Sequence, residues 1–139
     1  MTPIWLILTS PYGYQRSAAR VAELIGTSGG TARVIFAIDV SALGDSVDTL
    51  RIQGWLGPGP LRTLQGSLLD GYRSLAPILL NTVREWFESR GLTVQTEMRE
   101  QELGSLVDDA LAAGAIVLLA SSFQHRLPRI ERVELVEEA

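Results

Sequence analysis

The chain alternates between short apolar runs and amphipathic stretches. Ile4–Leu8 is continuously apolar, as expected for a parallel strand covered on both faces. Pro11 and Gly13 end this run, and Ser17 fits the N-cap of a following helix that ends near Gly26 and Gly29-Gly30. The predicted apolar face of this helix comprises Ala18, Val21, Ala22 and Ile25.

A second apolar run, Arg33–Val40, predicts a second strand. A strand, a helix and a strand in under 40 residues indicate a right-handed βαβ unit. After it, Ser41–Gly66 contains several glycines with Pro58 and Pro60 and predicts a long loop. Two interpretations stay open for this loop. It is either a variable insertion packed by its own apolar residues or a lid that binds a protein partner.

The next predicted helix begins at Ser67 and ends near Gly91. Pro77 interrupts the pattern, so we expect either a kink at that residue or a helix that starts at Ser74. The apolar positions follow three-and-four spacing and comprise Tyr72, Leu75, Ala76, Leu79, Val83, Trp86 and Phe87.

The remaining pattern predicts a strand over Leu92–Met98, a helix over Gln101–Ala113 and a strand over Ala115–Ala120. Together these elements predict an α/β fold with a mostly parallel sheet, organised as one domain over residues 1–139. Arg132–Val136 alternates and predicts a fifth strand, but only about ten residues separate it from the fourth. Either the connecting helix is missing, or the last strand pairs elsewhere, for example with another subunit.

Composition excludes several classes of chemistry. A net charge of −4 and a pI near 5.0 argue against general nucleic-acid binding. All 12 basic residues are arginines, and the absence of lysine excludes a Schiff base and a Walker-type phosphate loop. The absence of cysteine and the single histidine exclude disulfides and multi-ligand Cys or His metal sites. The early apolar run is too short to span a bilayer, so we expect a cytoplasmic protein without membrane association.

Several segments resemble the universal stress protein family. Ile7–Tyr14 aligns without gaps on the family's first strand and turn, and Ser17-Ala18-Ala19 falls where its first helix begins. Ala37–Val40 is similar to the end of its second strand, and Glu102–Ser121 to its third helix and fourth strand. The resemblance implies a flavodoxin-like or Rossmann-like (HUP-type) three-layer domain with strand order 3-2-1-4-5. Another flavodoxin-like or Rossmann-like domain is the alternative.

Two departures from the family argue against its usual cofactor. Members that bind ATP carry an acidic residue where Tyr12 stands, and a Gly-rich motif after strand four. Here Ser121 and Ser122 are followed by no glycine. Each backbone hydrogen bond to a charged phosphate is worth roughly 1.5–3 kcal/mol, so losing two or three weakens binding severely. We therefore expect no cofactor, with ATP or AMP disfavoured.

The implied strand order places a ligand crevice between strands one and four. Two tyrosines there could stack a base or simply be half-buried, and the serines could bind an anion or cap a strand end. Asp39 could meet a ribose hydroxyl or cap a loop. His125 lies three residues from Ser122 without a nucleophile elbow, which argues against a hydrolase. The candidate ligand-binding residues are Ser10, Tyr12, Gly13, Tyr14, Asp39, Ser121, Ser122, Gln124, His125 and Arg126.

The C-terminal glutamates alternate with valines, which is typical of a charged edge that prevents aggregation. Many members of the resembling family dimerise through the last strand, so the resemblance implies a homodimer. Arg129 and Arg132 could then meet glutamates across the interface. The candidate interface residues are Arg132, Val133, Glu134, Leu135 and Val136.

These observations lead to one expected function and one alternative. We expect a non-enzymatic stress-response binding or scaffold protein, similar to universal stress proteins, that acts as a dimer and does not bind ATP strongly. The alternative is a regulatory protein that binds a nucleotide or small anion in the crevice. Weak nucleotide hydrolysis or transfer is the third and weakest possibility, because the chain lacks lysine and a Gly-rich loop.

Overall fold

A five-stranded parallel sheet forms the centre of the computed structural model, which describes residues 2–9, 13–40, 58–121 and 133–137. The strand order is β3-β2-β1-β4-β5, which confirms the predicted order and fold class. In chain order the elements are β1 (Pro3–Leu8), α1 (Gln15–Ser28), β2 (Thr31–Ile38), α2 (Pro58–Glu88), β3 (Val94–Glu100), α3 (Leu103–Ala112), β4 (Ile116–Ser121) and β5 (Val133–Glu137).

Alternate residues of the strands belong to two separate hydrophobic clusters, because successive side chains point to opposite faces of a sheet. Ile4, Leu6 and Leu8 of β1 pack in the cluster that α1 and α2 cover. Trp5 and Ile7 pack in the cluster beneath α3. The three layers are therefore α1 with α2, the sheet, and α3.

The first helix begins earlier than its sequence pattern suggests. Ser17 is not the N-cap, because α1 begins at Gln15 and follows Tyr14. Ser17 is fully buried, and its hydroxyl donates to the carbonyl oxygen of Tyr14 at 3.0 Å. The predicted end is confirmed at Gly29, which adopts the left-handed conformation with φ 67° and closes the helix, whereas Gly26 lies within it.

The second helix differs most from the prediction. It runs without interruption from Pro58 to Glu88, so residues 58–66 are helical and the predicted loop is wrong there. Prolines are tolerated in the first turn of a helix, where the amides have no acceptor within the helix. Pro77 lies inside the helix, which therefore does not start at Ser74. Residues 41–57, where a lid or partner loop was expected, lie outside the described residues.

The last strand pairs within its own chain. β5 lies parallel to β4, with Val117 opposite Val133 and Leu119 opposite Leu135. The open alternative of pairing elsewhere is therefore wrong for the β4 side of this strand. The segment that connects the two strands, residues 122–132, falls outside the described ranges. No helix within those ranges combines the length and apolar character needed to cross a bilayer.

Replacing Pro77 tests how much the proline within α2 lowers stability. Pro77 is exposed, and an interior proline is unfavourable by about 3 kcal/mol, partly offset by the stiffer unfolded chain. We expect Pro77→Ala to raise the free energy of unfolding by about 1–3 kcal/mol in urea denaturation. Ser74→Ala, on the same exposed helix, is the control and should shift the midpoint less. A lower midpoint for Pro77→Ala would contradict the assignment of a continuous helix.

Candidate functional site

The fold brings the carboxyl ends of β1 and β4 side by side. Leu8 is paired with Ala120, so the chain leaves both strands at the same end of the sheet. Strand order reverses here, since β1 leads to β2 on one side and β4 leads to β5 on the other. Such a reversal is where open α/β sheets bind ligands. The strand order therefore reverses between β1 and β4, as predicted, and a ligand crevice at this point stays a prediction.

Gly13 and Tyr14, after the end of β1, form the turn that leads into α1. Gly13 has φ 81°, a left-handed conformation that favours glycine in the turn before the helix. Tyr14 is partly buried and packs against the core cluster of α1 and α2. Its amide donates to Oε1 of Gln15 at 3.2 Å, and its carbonyl oxygen accepts from Ser17 and Ala18. Its packing against the core supports the half-buried alternative for the Tyr14 side chain.

Asp39 connects the end of β2 to the start of α3. Its Oδ2 accepts a hydrogen bond from the amide of Leu103 at 3.1 Å, and Leu103 is the first residue of the helix. The neighbouring amide of Gln101 donates to the carbonyl oxygen of Ile38 at 3.1 Å. Because one carboxylate oxygen already caps a helix amide, the geometry supports the capping alternative for Asp39.

Of the remaining candidate ligand-binding residues, only Ser121 lies within the described ranges. Ser121 ends β4 and pairs with Glu137, so its backbone lies at the crevice. Among the described residues, no cluster of three or more histidine, cysteine or acidic side chains could hold a metal ion. Six candidate residues lie outside the described ranges, and their roles stay predictions: Ser10, Tyr12, Ser122, Gln124, His125 and Arg126.

Three of the candidate interface residues make contacts within the chain. Glu134 accepts from Nε of Arg20 at 3.1 Å through both carboxylate oxygens. These hydrogen bonds, with a smaller contribution from Glu23, raise the pKa of the Arg20 guanidinium. Val133 packs against the cluster beneath α3, and Val136 against the opposite cluster. Arg132 and Arg129 lie beyond the described residues.

Leu135 differs from these neighbours because it is 45% exposed. It lies on β5, which pairs on one side with β4. Of the apolar candidate interface residues that the structure describes, Leu135 is thus the most exposed.

Two arginines that lie over Trp5 were not among the predicted site residues. Arg33 and Arg99 lie over its indole ring, at 5.3 and 5.2 Å from the ring centroid, and the side chain is only 8% exposed. Glu97 forms ion pairs with Arg99 and, at 4.0 Å, with Arg33. Arg99 also approaches Oδ2 of Asp109 at 3.9 Å. Arg33, a charged residue in the otherwise mostly apolar β2, was the only sign of these contacts in the sequence. The strand register shows which residues surround it.

Removing the Asp39 carboxylate should weaken the attachment of α3. We expect Asp39→Ala to lower the free energy of unfolding by about 0.5–2 kcal/mol, the usual loss of a helix cap. Asp39→Asn retains an oxygen acceptor and should lose less. Asp108→Ala, on the exposed face of α3, is the control for removing an acidic residue. Equal denaturation midpoints for Asp39→Ala and the wild type would contradict the capping role.

No protein-family model and no curated protein matches the chain. The resemblance to universal stress proteins therefore remains a hypothesis, carried by the residues quoted for it, whereas the three-layer α/β fold is a property of the structure.

Proposed function

We propose that this protein is a non-enzymatic binding or scaffold protein, similar to universal stress proteins that do not bind ATP strongly, and that it acts as a homodimer. One observation carries the proposal: β5 ends the described sheet with Leu135 exposed and one edge unpaired among the described residues. An exposed strand edge with an apolar side chain is a template for pairing with another strand.

A two-fold axis at Leu135 gives a chemically consistent interface. In antiparallel pairing about this axis, Leu135 lies opposite its own copy and Glu134 lies opposite Val136. No two glutamates are then directly opposed. Glu134 also keeps its hydrogen bonds to Arg20 in this arrangement, because they are formed within one protomer. The two sheets would join into one continuous sheet.

The opposite edge is less suitable for such pairing. The second half of β3, Glu97–Glu100, carries three charged residues, and they are ion-paired to Arg33, Arg73 and Asp109. Charged side chains on an edge strand oppose unspecific pairing. The proposed self-association therefore uses β5.

Leu135→Asp tests the proposed interface. We expect the wild type to elute as a dimer and Leu135→Asp as a monomer in size-exclusion chromatography with light scattering, because two aspartates would face each other across the axis. Met98→Asp is the matched control, since Met98 is 42% exposed on the opposite edge strand. Val133 is a poorer test site because it packs against the core. A monomeric wild type, or a dimeric Leu135→Asp variant, would refute this interface.

Nucleotide analysis separates the scaffold proposal from the nucleotide-binding alternative. We expect protein purified from cells and then denatured to release no adenine nucleotide, because the chain lacks the Gly-rich phosphate loop. Calorimetric titration with ATP should give a dissociation constant of about 1 mM or weaker, equivalent to about −4 kcal/mol. Co-purified nucleotide, or micromolar ATP binding, would favour the regulatory protein instead.

A further inference from the structure

The outer edge of β3 borders an open groove that is separate from the crevice and from β5. Its lining comes from β2, α2 and the first four residues of β3: Arg33, Arg84, Val94, Gln95, Thr96 and Glu97. β3 pairs with β2, and no other described strand lies beside it. The groove therefore follows a strand edge whose outer side is unpaired in the described part of the chain.

Two arginines flank this edge from opposite faces of the sheet. Nη2 of Arg33 donates to Oε1 of Gln95 at 3.2 Å on the α3 side. Nη2 of Arg84 donates to Oγ1 of Thr96 at 2.8 Å on the α2 side. Neutral side chains thus position both guanidiniums beside the first half of β3.

The lining of the groove has more basic than acidic side chains, although the whole chain has a net charge of −4. Its lining contains two arginines and a single carboxylate, Glu97. That carboxylate already contacts Arg99 and lies 4.0 Å from Arg33. Arg84 takes part in none of the ion pairs among the described residues. A guanidinium that donates to a neutral hydroxyl retains the capacity to bind a carboxylate.

The two halves of β3 differ in how they protect the edge. Glu97–Glu100 carries three charged residues, whereas Val94–Thr96 carries none and contains no proline. Valine and threonine favour strands, and charges that normally discourage pairing are absent from this half. The unprotected half is also the half that the two arginines flank.

We propose that the outer edge of β3 at Val94–Thr96 binds an extended acidic peptide segment of a partner protein by strand addition. Main-chain hydrogen bonds to β3 supply affinity, and carboxylates paired with Arg33 and Arg84 supply selectivity. Because successive side chains of a strand point to opposite faces, one peptide can reach both arginines only with acidic residues an odd number of positions apart. Two adjacent glutamates satisfy this condition.

This proposal rests on the proposed scaffold function and names the class of its partner. A dimer joined through β5 would leave one β3 edge at each end of the continuous sheet. Each dimer would then offer two equivalent acceptor edges, and a partner with two acidic segments would gain avidity from engaging both.

Fluorescence anisotropy with designed peptides tests the docking site. The probe is fluorescein-labelled Thr-Val-Glu-Glu-Val-Thr, and we expect saturable binding at 50 mM salt that weakens as salt is added. A peptide with both glutamates replaced by glutamine should bind at least about fivefold more weakly. Thr-Glu-Val-Glu-Val-Thr, which places both carboxylates on one face, should also lose affinity. An analogue methylated at alternate backbone nitrogens keeps its charges but should lose binding.

Protein variants assign the binding to the β3 edge. Arg84→Gln and Arg33→Gln should each weaken binding about three- to fivefold, the upper range for an exposed ion pair. Arg90→Gln is the matched control. Arg90 lies just beyond the C-terminal end of α2, near Arg84 in the sequence, but it stacks on Trp86 and does not line the groove. When peptide is bound, hydrogen exchange should slow at those amides of residues 94–96 that face away from β2.

Several results would overturn the proposal. These are absence of binding, equal affinity for the glutamine peptide, full affinity of the methylated peptide, or equal losses in Arg84→Gln and Arg90→Gln. Measuring the peptide against both wild type and Leu135→Asp keeps the two proposals separate. A wild type that binds the peptide but is monomeric would refute the β5 dimer alone, and a dimeric wild type that does not bind the peptide would refute the β3 site alone.

Discussion

Burial of both faces of the central strands is the constraint on which the rest of this structure depends. Ile4, Leu6, Ile7 and Leu8 of β1 are fully buried, with Ile4, Leu6 and Leu8 beneath α1 and α2 and Ile7 beneath α3. A parallel strand covered in this way must be apolar along its whole length. The two clusters hold the helices in place, and the sheet then determines which chain ends meet.

Polar contacts attach the peripheral elements to this core. The Asp39 carboxylate caps α3 from the end of β2, and Arg20 of α1 holds Glu134 of β5. Both contacts join elements that are distant along the chain. Asp39 and Glu134 therefore both have partners within the chain.

The two sheet edges differ in chemistry. β5 combines an exposed leucine with a glutamate that is engaged within the chain, which suits pairing with an identical strand. β3 combines an uncharged half with two flanking arginines, which suits an acidic strand from elsewhere. The proposed binding or scaffold function depends on such surfaces.

The periodicity of apolar residues alone predicted the strands, the helices and the α/β class, because burial on one or two faces imposes a repeat that is readable in sequence. The strand order came from the resemblance, and the structure confirms it. The start of α2 was not readable, since Pro58 and Pro60 are compatible with both a loop and a first helical turn. Ser17, Asp39 and Glu134 were equally ambiguous, because a polar side chain takes its role from partners that only the folded chain brings near. The groove along β3 depended wholly on tertiary structure, which places Arg33 and Arg84, 51 positions apart in the sequence, on either side of one strand.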